Sequence, residues 1–198
     1  MRSPRPRSPA KAAHAVVLKF TWLTGARHVY AGLLIDTQHG PMDKVTLSAM
    51  LAAVANGGAK SMVRVAAPDD RDGIQQALDL GANGVLIPYV NTAAEAAVGI
   101  SCALYPTAGT RSVYFPQRSM NELGLLGYAG AHNDNVIVAL QIETASAIEN
   151  IDEIAALPGL DMMFLGQNDL SMSMGLYEKC TRTPFALTCP APMALPLI

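Results

Sequence analysis

The chain has 198 residues, 51% of them hydrophobic and 15% charged, with 14 Lys and Arg against 16 Asp and Glu for a net charge of −2. That length and apolar content bury one substantial core, and the slightly negative balance excludes a broad basic surface for nucleic acid. No uninterrupted apolar run reaches the roughly 20 residues a membrane-spanning helix needs, and Cys102, Cys180 and Cys189 form neither a disulfide pattern nor a CxxC zinc pair, so they read as reduced thiols of a cytoplasmic protein.

Residues 1–20 are basic and free of acid, the first acidic residue of the chain being Asp36. With prolines at positions 4, 6 and 9 the segment reads as an unstructured tail. A mitochondrial presequence, which those prolines disfavour, and a phosphate-binding arm are the other readings. Ala15–Phe20 is a doubtful first strand.

From 21 to 175 the chain repeats one phrase, an apolar strand, a polar turn at its end, then a helix-like stretch, which is the signature of parallel β/α units. Tyr30–Ile35 is a strand that delivers Asp-Thr-Gln-His-Gly-Pro at its C-terminal end. The next stretch, Lys44 to Ala55, places Val45, Ala49, Ala52 and Ala53 at helical spacing and stops at Asn56-Gly-Gly. Lys60–Val65 is a second strand, and the Asp69-Asp70 pair after it caps a helix with Ile74, Ala77 and Leu78 as its buried stripe. Gly81 sits where a left-handed C-cap belongs. Gly84–Val90 is continuously apolar, as expected of a strand covered on both faces, and Asn91 or Thr92 caps the helix that follows.

Leu104 to Asn135 is a long Gly-rich, aromatic excursion of the kind that often carries function. The rhythm resumes with the strand Asn135–Ile142 ending at Glu143, the helix Ala147–Leu157, and the strand Met162–Leu165 ending in Gly-Gln-Asn-Asp. Residues 176–198 are aperiodic, with four prolines between Cys180 and Ile198. About five strands are secure, so the fold class is α/β, a (β/α)8 TIM-barrel type lacking its last two units.

Active sites of such barrels are assembled at the C-terminal ends of the strands, and four motifs of this chain end there. Glu143 and Asp169 close consecutive strands, so their carboxylates can share one mouth; alone, Glu143 would only start a helix and Asp169 only cap a turn. Hard oxygen ligands with open positions suit Mg²⁺ or Mn²⁺ better than zinc. Arg64, between two valines, requires an anionic partner or an open mouth. His39 in its loop suits proton transfer near neutral pH. Asp79 near a helix C-terminus is disfavoured by the helix dipole and needs compensation, for which His39 is the candidate. Arg111 reads as a solvated loop cation that could instead reach a substrate.

These segments resemble the HpcH/HpaI aldolase/citrate lyase family of pyruvate barrels. The matching runs are Ile-Asp-Thr-Gln-His-Gly-Pro, Met-Val-Arg-Val, Ala-Leu-Asp-Leu-Gly-Ala-Asn-Gly-Val-Leu-Ile-Pro, Gln-Ile-Glu-Thr-Ala-Ser-Ala-Ile-Glu-Asn-Ile and Phe-Leu-Gly-Gln-Asn-Asp-Leu-Ser, in order from about residue 33 to 175. The resemblance implies a lyase that cleaves a 4-hydroxy-2-oxo acid to pyruvate and an aldehyde through an enolate. It further implies a divalent ion, Mg²⁺ foremost with Mn²⁺ or Co²⁺ also suited, on Glu143 and Asp169. Arg64 would support the developing charge, His39 with Asp79 would move the proton, and Gln141, Gly166, Gln167 and Asn168 would line the pyruvate pocket. It implies a homo-oligomer as well. Gln38 replaces the usual glutamate, Ser112 a common glycine, and Gln167-Asn168 the common Pro-Ala or Pro-Gly. Oxaloacetate decarboxylation, macrophomate-synthase-like chemistry and an inactive truncated member are the alternatives.

Overall fold

A computed structural model describes residues 32–114 and 117–177 of the chain; the basic N-terminal segment, Ala15–Phe20, Cys180, Cys189 and the Pro-rich C-terminal segment from 178 on lie outside the described residues. Five strands, β1 (Gly32–Asp36), β2 (Lys60–Arg64), β3 (Gly84–Ile87), β4 (Ile137–Ile142) and β5 (Met162–Leu165), form one sheet in the order β1-β2-β3-β4-β5. Every neighbouring pair is parallel. Sequential parallel order with a helical crossover at each step is the (β/α)-barrel pattern, and the five strands make a curled half-barrel.

The helices follow from local chemistry. Asp43 caps α1 (Lys44–Asn56) by accepting from the Thr46 N–H at 2.7 Å. The side chains α1 buries are Leu47 and Leu51, while Val45 is 78% exposed; the stripe expected at Val45, Ala49, Ala52 and Ala53 is displaced, because the two leucines at i, i+4 are the larger apolar groups and take the core-facing side. In α2 (Arg71–Asp79) Asp70 caps through the Gly73 N–H at 2.9 Å, and the buried residues are Ile74, Ala77 and Leu78. Burying a side chain such as Ile74 or Leu78 contributes roughly 1.5–3 kcal/mol. Gly81 turns at φ 99°, the left-handed stop anticipated there. Thr92, rather than Asn91, caps α3 (Ala93–Ala103), with Glu95 completing a capping box.

Two expectations change along the chain. The excursion between Leu104 and Asn135 is not all loop: α4 (Gln117–Asn135) occupies its second half, with a kink at Gly124. The helix expected over Ala147–Leu157 is two short ones, α5 (Ala145–Glu149) and α6 (Ile151–Ala155), divided at Asn150. The Asn150 amide donates to the Asn91 carbonyl at 2.9 Å, a side-chain to backbone bond that competes with continuous helix. A seventh helix, α7 (Gln167–Ser173), follows β5.

Strand alternation sends two sets of side chains to two cores. The outer set, including Ile35, Val63, Val85, Ile87, Val138, Leu140 and Ile142, packs under the helices. The inner set is smaller, with Leu34, Leu86 and Ala139 flanked by Met62 and Phe164. This inner face leads upward to polar residues at the strand ends. On β5, Met162, Met163 and Leu165 are 38–43% exposed, so the sheet is open on that side among the described residues.

Candidate active site

The inward-facing residue at the top of each of β1, β2 and β4 is polar. Asp36 and Arg64 are register partners on β1 and β2, and the pleat turns both inward. Arg64 donates from Nε to Asp36 Oδ1 at 2.9 Å and from Nη2 to Asp36 Oδ2. Burial would raise the Asp36 carboxyl, but the bonds and charge of Arg64, with the N–H groups of His39 and Gln38, outweigh it and hold the group below its ordinary value. Arg64 thus has its anionic partner and still turns Nη1 towards Gln141 Oε1 at 3.5 Å. The other end of that amide donates to Glu143 Oε2 at 2.6 Å. Asp36, Arg64, Gln141 and Glu143 therefore form one hydrogen-bonded line across the inside of the sheet.

Glu143 is 3% exposed. Its second oxygen accepts the Tyr89 backbone N–H at 2.7 Å. Burial raises the Glu143 carboxyl above its ordinary value, and the charge of Asp169 adds to that against the Tyr89 and Gln141 bonds. Asp169 comes from the first turn of α7, near enough for its charge to bear on Glu143. Gly166 packs directly against Glu143: a Cβ there would lie 2.7 Å from Glu143 Cβ and 2.8 Å from both Glu143 Oε2 and Gln141 Nε2. Between the lines lies a cleft of about 310 Å³, whose wall includes Asp36, Arg64, Gln141, Gly166, Gln167, Asn168 and Asp169, with Leu34, Leu86 and Phe164 on its apolar side. A small concave site with an apolar side and converging polar groups is what a ligand of a few carbons requires.

Two of the sequence expectations need correcting. His39 is exposed on the loop after β1, its backbone N–H 3.4 Å from Asp36 Oδ1, but it does not pair with Asp79. Asp79 ends α2 and forms an ion pair with Arg111 at 2.7 Å. Arg111, read as a solvated cation, is 1% exposed. Its guanidinium carbon lies 4.6 Å from the centre of the Tyr105 ring, and Nη1 lies 3.2 Å from His132 Nδ1. The reason is topological: α2 runs back along the sheet, so its last turn lies beside the starts of β3 and β4, the end away from the cleft. Asp79 there holds the long excursion to the sheet.

Two participants escape the sequence reading. Asp36 carried a signal, because a strand-end Asp one strand before an embedded Arg is the anion that Arg requires. Tyr89 carried none. Its φ of 60° is unusual for a residue with a side chain, and its contribution to Glu143 is a main-chain N–H.

Known proteins fit this geometry. Residues 24–186 match the profile described as HpcH/HpaI aldolase/citrate lyase. The chain is 41% identical over 164 residues to a 2-dehydro-3,6-dideoxy-6-sulfogluconate aldolase of Pseudomonas putida, covering 78% of this chain and 64% of that protein. It is 39% identical over 150 residues to a hydroxypyruvate/pyruvate aldolase of Rhizorhabdus wittichii, covering 76% and 59%. A solved HpcH/HpaI aldolase from Desulfitobacterium hafniense superposes with a TM-score of 0.67 at 27% identity, covering 76% of this chain and 61% of that one. The chain thus spans about three fifths of the length of these relatives, and it belongs to the HpcH/HpaI aldolase/citrate lyase family.

Proposed function

We propose that the chain carries the metal-binding and oxo-acid-binding part of an aldolase that cleaves a 4-hydroxy-2-oxo acid to pyruvate and an aldehyde, with a divalent cation, Mg²⁺ foremost, held by Glu143 and Asp169. The observation that carries this reading is the hydrogen-bonded line from Arg64 through Gln141 to Glu143 at the C-terminal ends of the strands, beside a cleft whose wall includes Arg64, Gln141 and Asp169. The relatives' names as aldolases support the reaction class.

The donor set fits the cation. Two carboxylates lie near enough for the charge of Asp169 to raise Glu143, and a cation between them relieves that repulsion. Mg²⁺ keeps several waters and is commonly held by one or two carboxylates, so a third acidic ligand is not required. Gly166 lets the backbone pack directly against Glu143 and Gln141, where any side chain would collide with both.

Bound there, the cation supplies Lewis-acid polarisation of a carbonyl oxygen. The chain's own residues do the rest. Asp36 fixes the Arg64 guanidinium, whose Nη1 faces the cleft side of Gln141, so a rigid positive charge stands where negative charge develops as the carbon–carbon bond breaks. Gln141 keeps Arg64 and Glu143 in register by using both ends of its amide. Gly166, Gln167 and Asn168 form the wall against which the small oxo acid rests. His39, exposed on the loop after β1, would exchange a proton through water.

The test is retro-aldol cleavage of a 4-hydroxy-2-oxo acid with Mg²⁺, followed by pyruvate formation, together with deuterium exchange at the methyl group of pyruvate. Both signals are expected in the wild type and lost on Glu143→Ala. Equal rates in the two proteins refute the assignment, and product analysis separates aldol cleavage from decarboxylation of oxaloacetate.

A further inference from the structure

Asn91 stands outside the cleft wall, yet it bonds both to Tyr89, which donates to Glu143, and to Thr144, the residue that follows Glu143. Its side-chain amide donates from Nδ2 to the Tyr89 carbonyl at 3.0 Å, and its Oδ1 accepts from the Thr144 hydroxyl. Thr144 is the residue after Glu143 and caps α5 through the Ala147 N–H at 3.1 Å. The main chain of Asn91 is itself fixed, its N–H donating to Glu95 at 2.8 Å and its carbonyl accepting from Asn150 at 2.9 Å. Two partners, Tyr89 and Thr144, thus close on the Asn91 carboxamide, and two more, Glu95 and Asn150, hold its main chain.

Tyr89 gives that closure a purpose. A side-chain-bearing residue at φ 60° is in a sparsely populated conformation that persists only where its surroundings enforce it. Here the conformation directs the Tyr89 N–H onto Glu143 Oε1 at 2.7 Å. With Gln141 on Oε2 at 2.6 Å, both carboxylate oxygens have one donor and keep their remaining lone pairs for a cation. Tyr89 is 56% exposed, and its peptide is held at both ends, by Glu143 at the N–H and by the Asn91 amide at the carbonyl.

We infer that Asn91 is a positioning residue for the metal carboxylate: by clamping the Tyr89 peptide in the left-handed conformation and Thr144 beside it, it orients Glu143 for the cation. This rests on the reading of Glu143 as a metal ligand. Hydrogen-bonding partners behind a ligand orient it, and losing one commonly weakens metal affinity by roughly 10–100-fold.

The experiment is titration of the full chain with Mn²⁺ alone, with free Mn²⁺ measured by electron paramagnetic resonance, alongside a thermal melt of each protein. Asn91→Ala is expected to weaken Mn²⁺ binding at least about 10-fold. Adding Tyr89→Gly to Asn91→Ala is expected to recover most of the affinity, because glycine takes positive φ without steric cost, while the melting temperature stays low. A purely structural Asn91 would lower the melt and leave Mn²⁺ affinity at the wild-type value, and that result overturns the inference. So does a double variant that binds no better than Asn91→Ala. Glu143→Gln keeps the two failures apart: if it binds Mn²⁺ as the wild type does, the metal reading falls and takes this inference with it, whereas if it loses binding and Asn91→Ala does not, only the role of Asn91 falls.

Discussion

His132 lets the far end of the sheet be tested by pH alone. The imidazole is 6% exposed, with Nε2 3.0 Å from the Ala103 carbonyl and 2.8 Å from Arg111 Nη1. Nδ1 lies 3.2 Å from the same guanidinium nitrogen, so a second proton would set an N–H against a guanidinium N–H. Burial foremost, and the Arg111 charge after it, press the group from 6.5 down to about 4, against the opposing pull of the Ala103 carbonyl. Between those two values the unfolded chain holds the proton and the folded chain does not. Stability from the neutral, buried imidazole is therefore complete above about pH 6.5 and drains as pH falls, reaching its floor near the folded value. At about 1.4 kcal/mol per unit, the loss approaches about 3 kcal/mol at its limit. Urea unfolding of the wild type and His132→Gln at a series of pH values isolates this group, because other carboxylates titrate in both proteins. The stability difference between them should shift against the wild type by about 2–3 kcal/mol from roughly pH 7.5 to pH 4.5. A difference independent of pH refutes the buried neutral imidazole.

The ion pair beside it predicts an asymmetry. Arg111 is fully buried at its side chain and Asp79 is 18% exposed, and Arg111 Nε has no hydrogen-bond partner among the described residues. Asp79→Ala strands a buried guanidinium and should cost about 3–5 kcal/mol, whereas Arg111→Met leaves a carboxylate with some access to water and should cost less; denaturant unfolding giving the reverse order refutes this. At the cleft, Gly166→Ala places a methyl group 2.7–2.8 Å from Glu143 and Gln141, so aldol cleavage should fall at least about 10-fold while the melt moves little. Unchanged activity would show that the approach of Gly166 to Glu143 is not needed.

Much of this molecule was legible because parallel β/α units write themselves in a simple code. Continuous apolar runs such as Gly84–Ile87 mark strands covered on both faces, Asp70 and Gly81 punctuate a helix, and polar residues directly after strands mark the mouth. Glu143 and Asp169 were proposed as a pair from that rule. Val45 against Leu47 shows where the code fails, since an alanine-rich helix offers several stripes and only packing selects one. Asn150 shows another limit: the bond that divides α5 from α6 is made to Asn91, 59 residues away. Tyr89 was not legible in principle, because main-chain donation leaves no trace in residue type.

Asp79 is the instructive case, because the physical premise was sound and the partner was not. An acid in the last turn of a helix does need compensation, and the sequence offered His39 as a nearby loop cation. Chain direction decides otherwise. In a parallel sheet every strand C-terminus points to one end and every returning helix C-terminus to the other, so residues that end strands and residues that end helices are separated by about a strand length, roughly 13–17 Å for strands of four or five residues. His39 follows β1 and lies at the mouth, while Asp79 ends α2 and lies at the base, where the excursion brings Arg111 to it. The same rule groups Asp36, Arg64 and Glu143 at strand ends and keeps the Asp79, Arg111 and His132 cluster apart from them. Within this chain the two polar clusters therefore divide by position in the β/α unit, the upper at the strand ends beside the cleft and the lower joining the long connection before β4 to the end of α2.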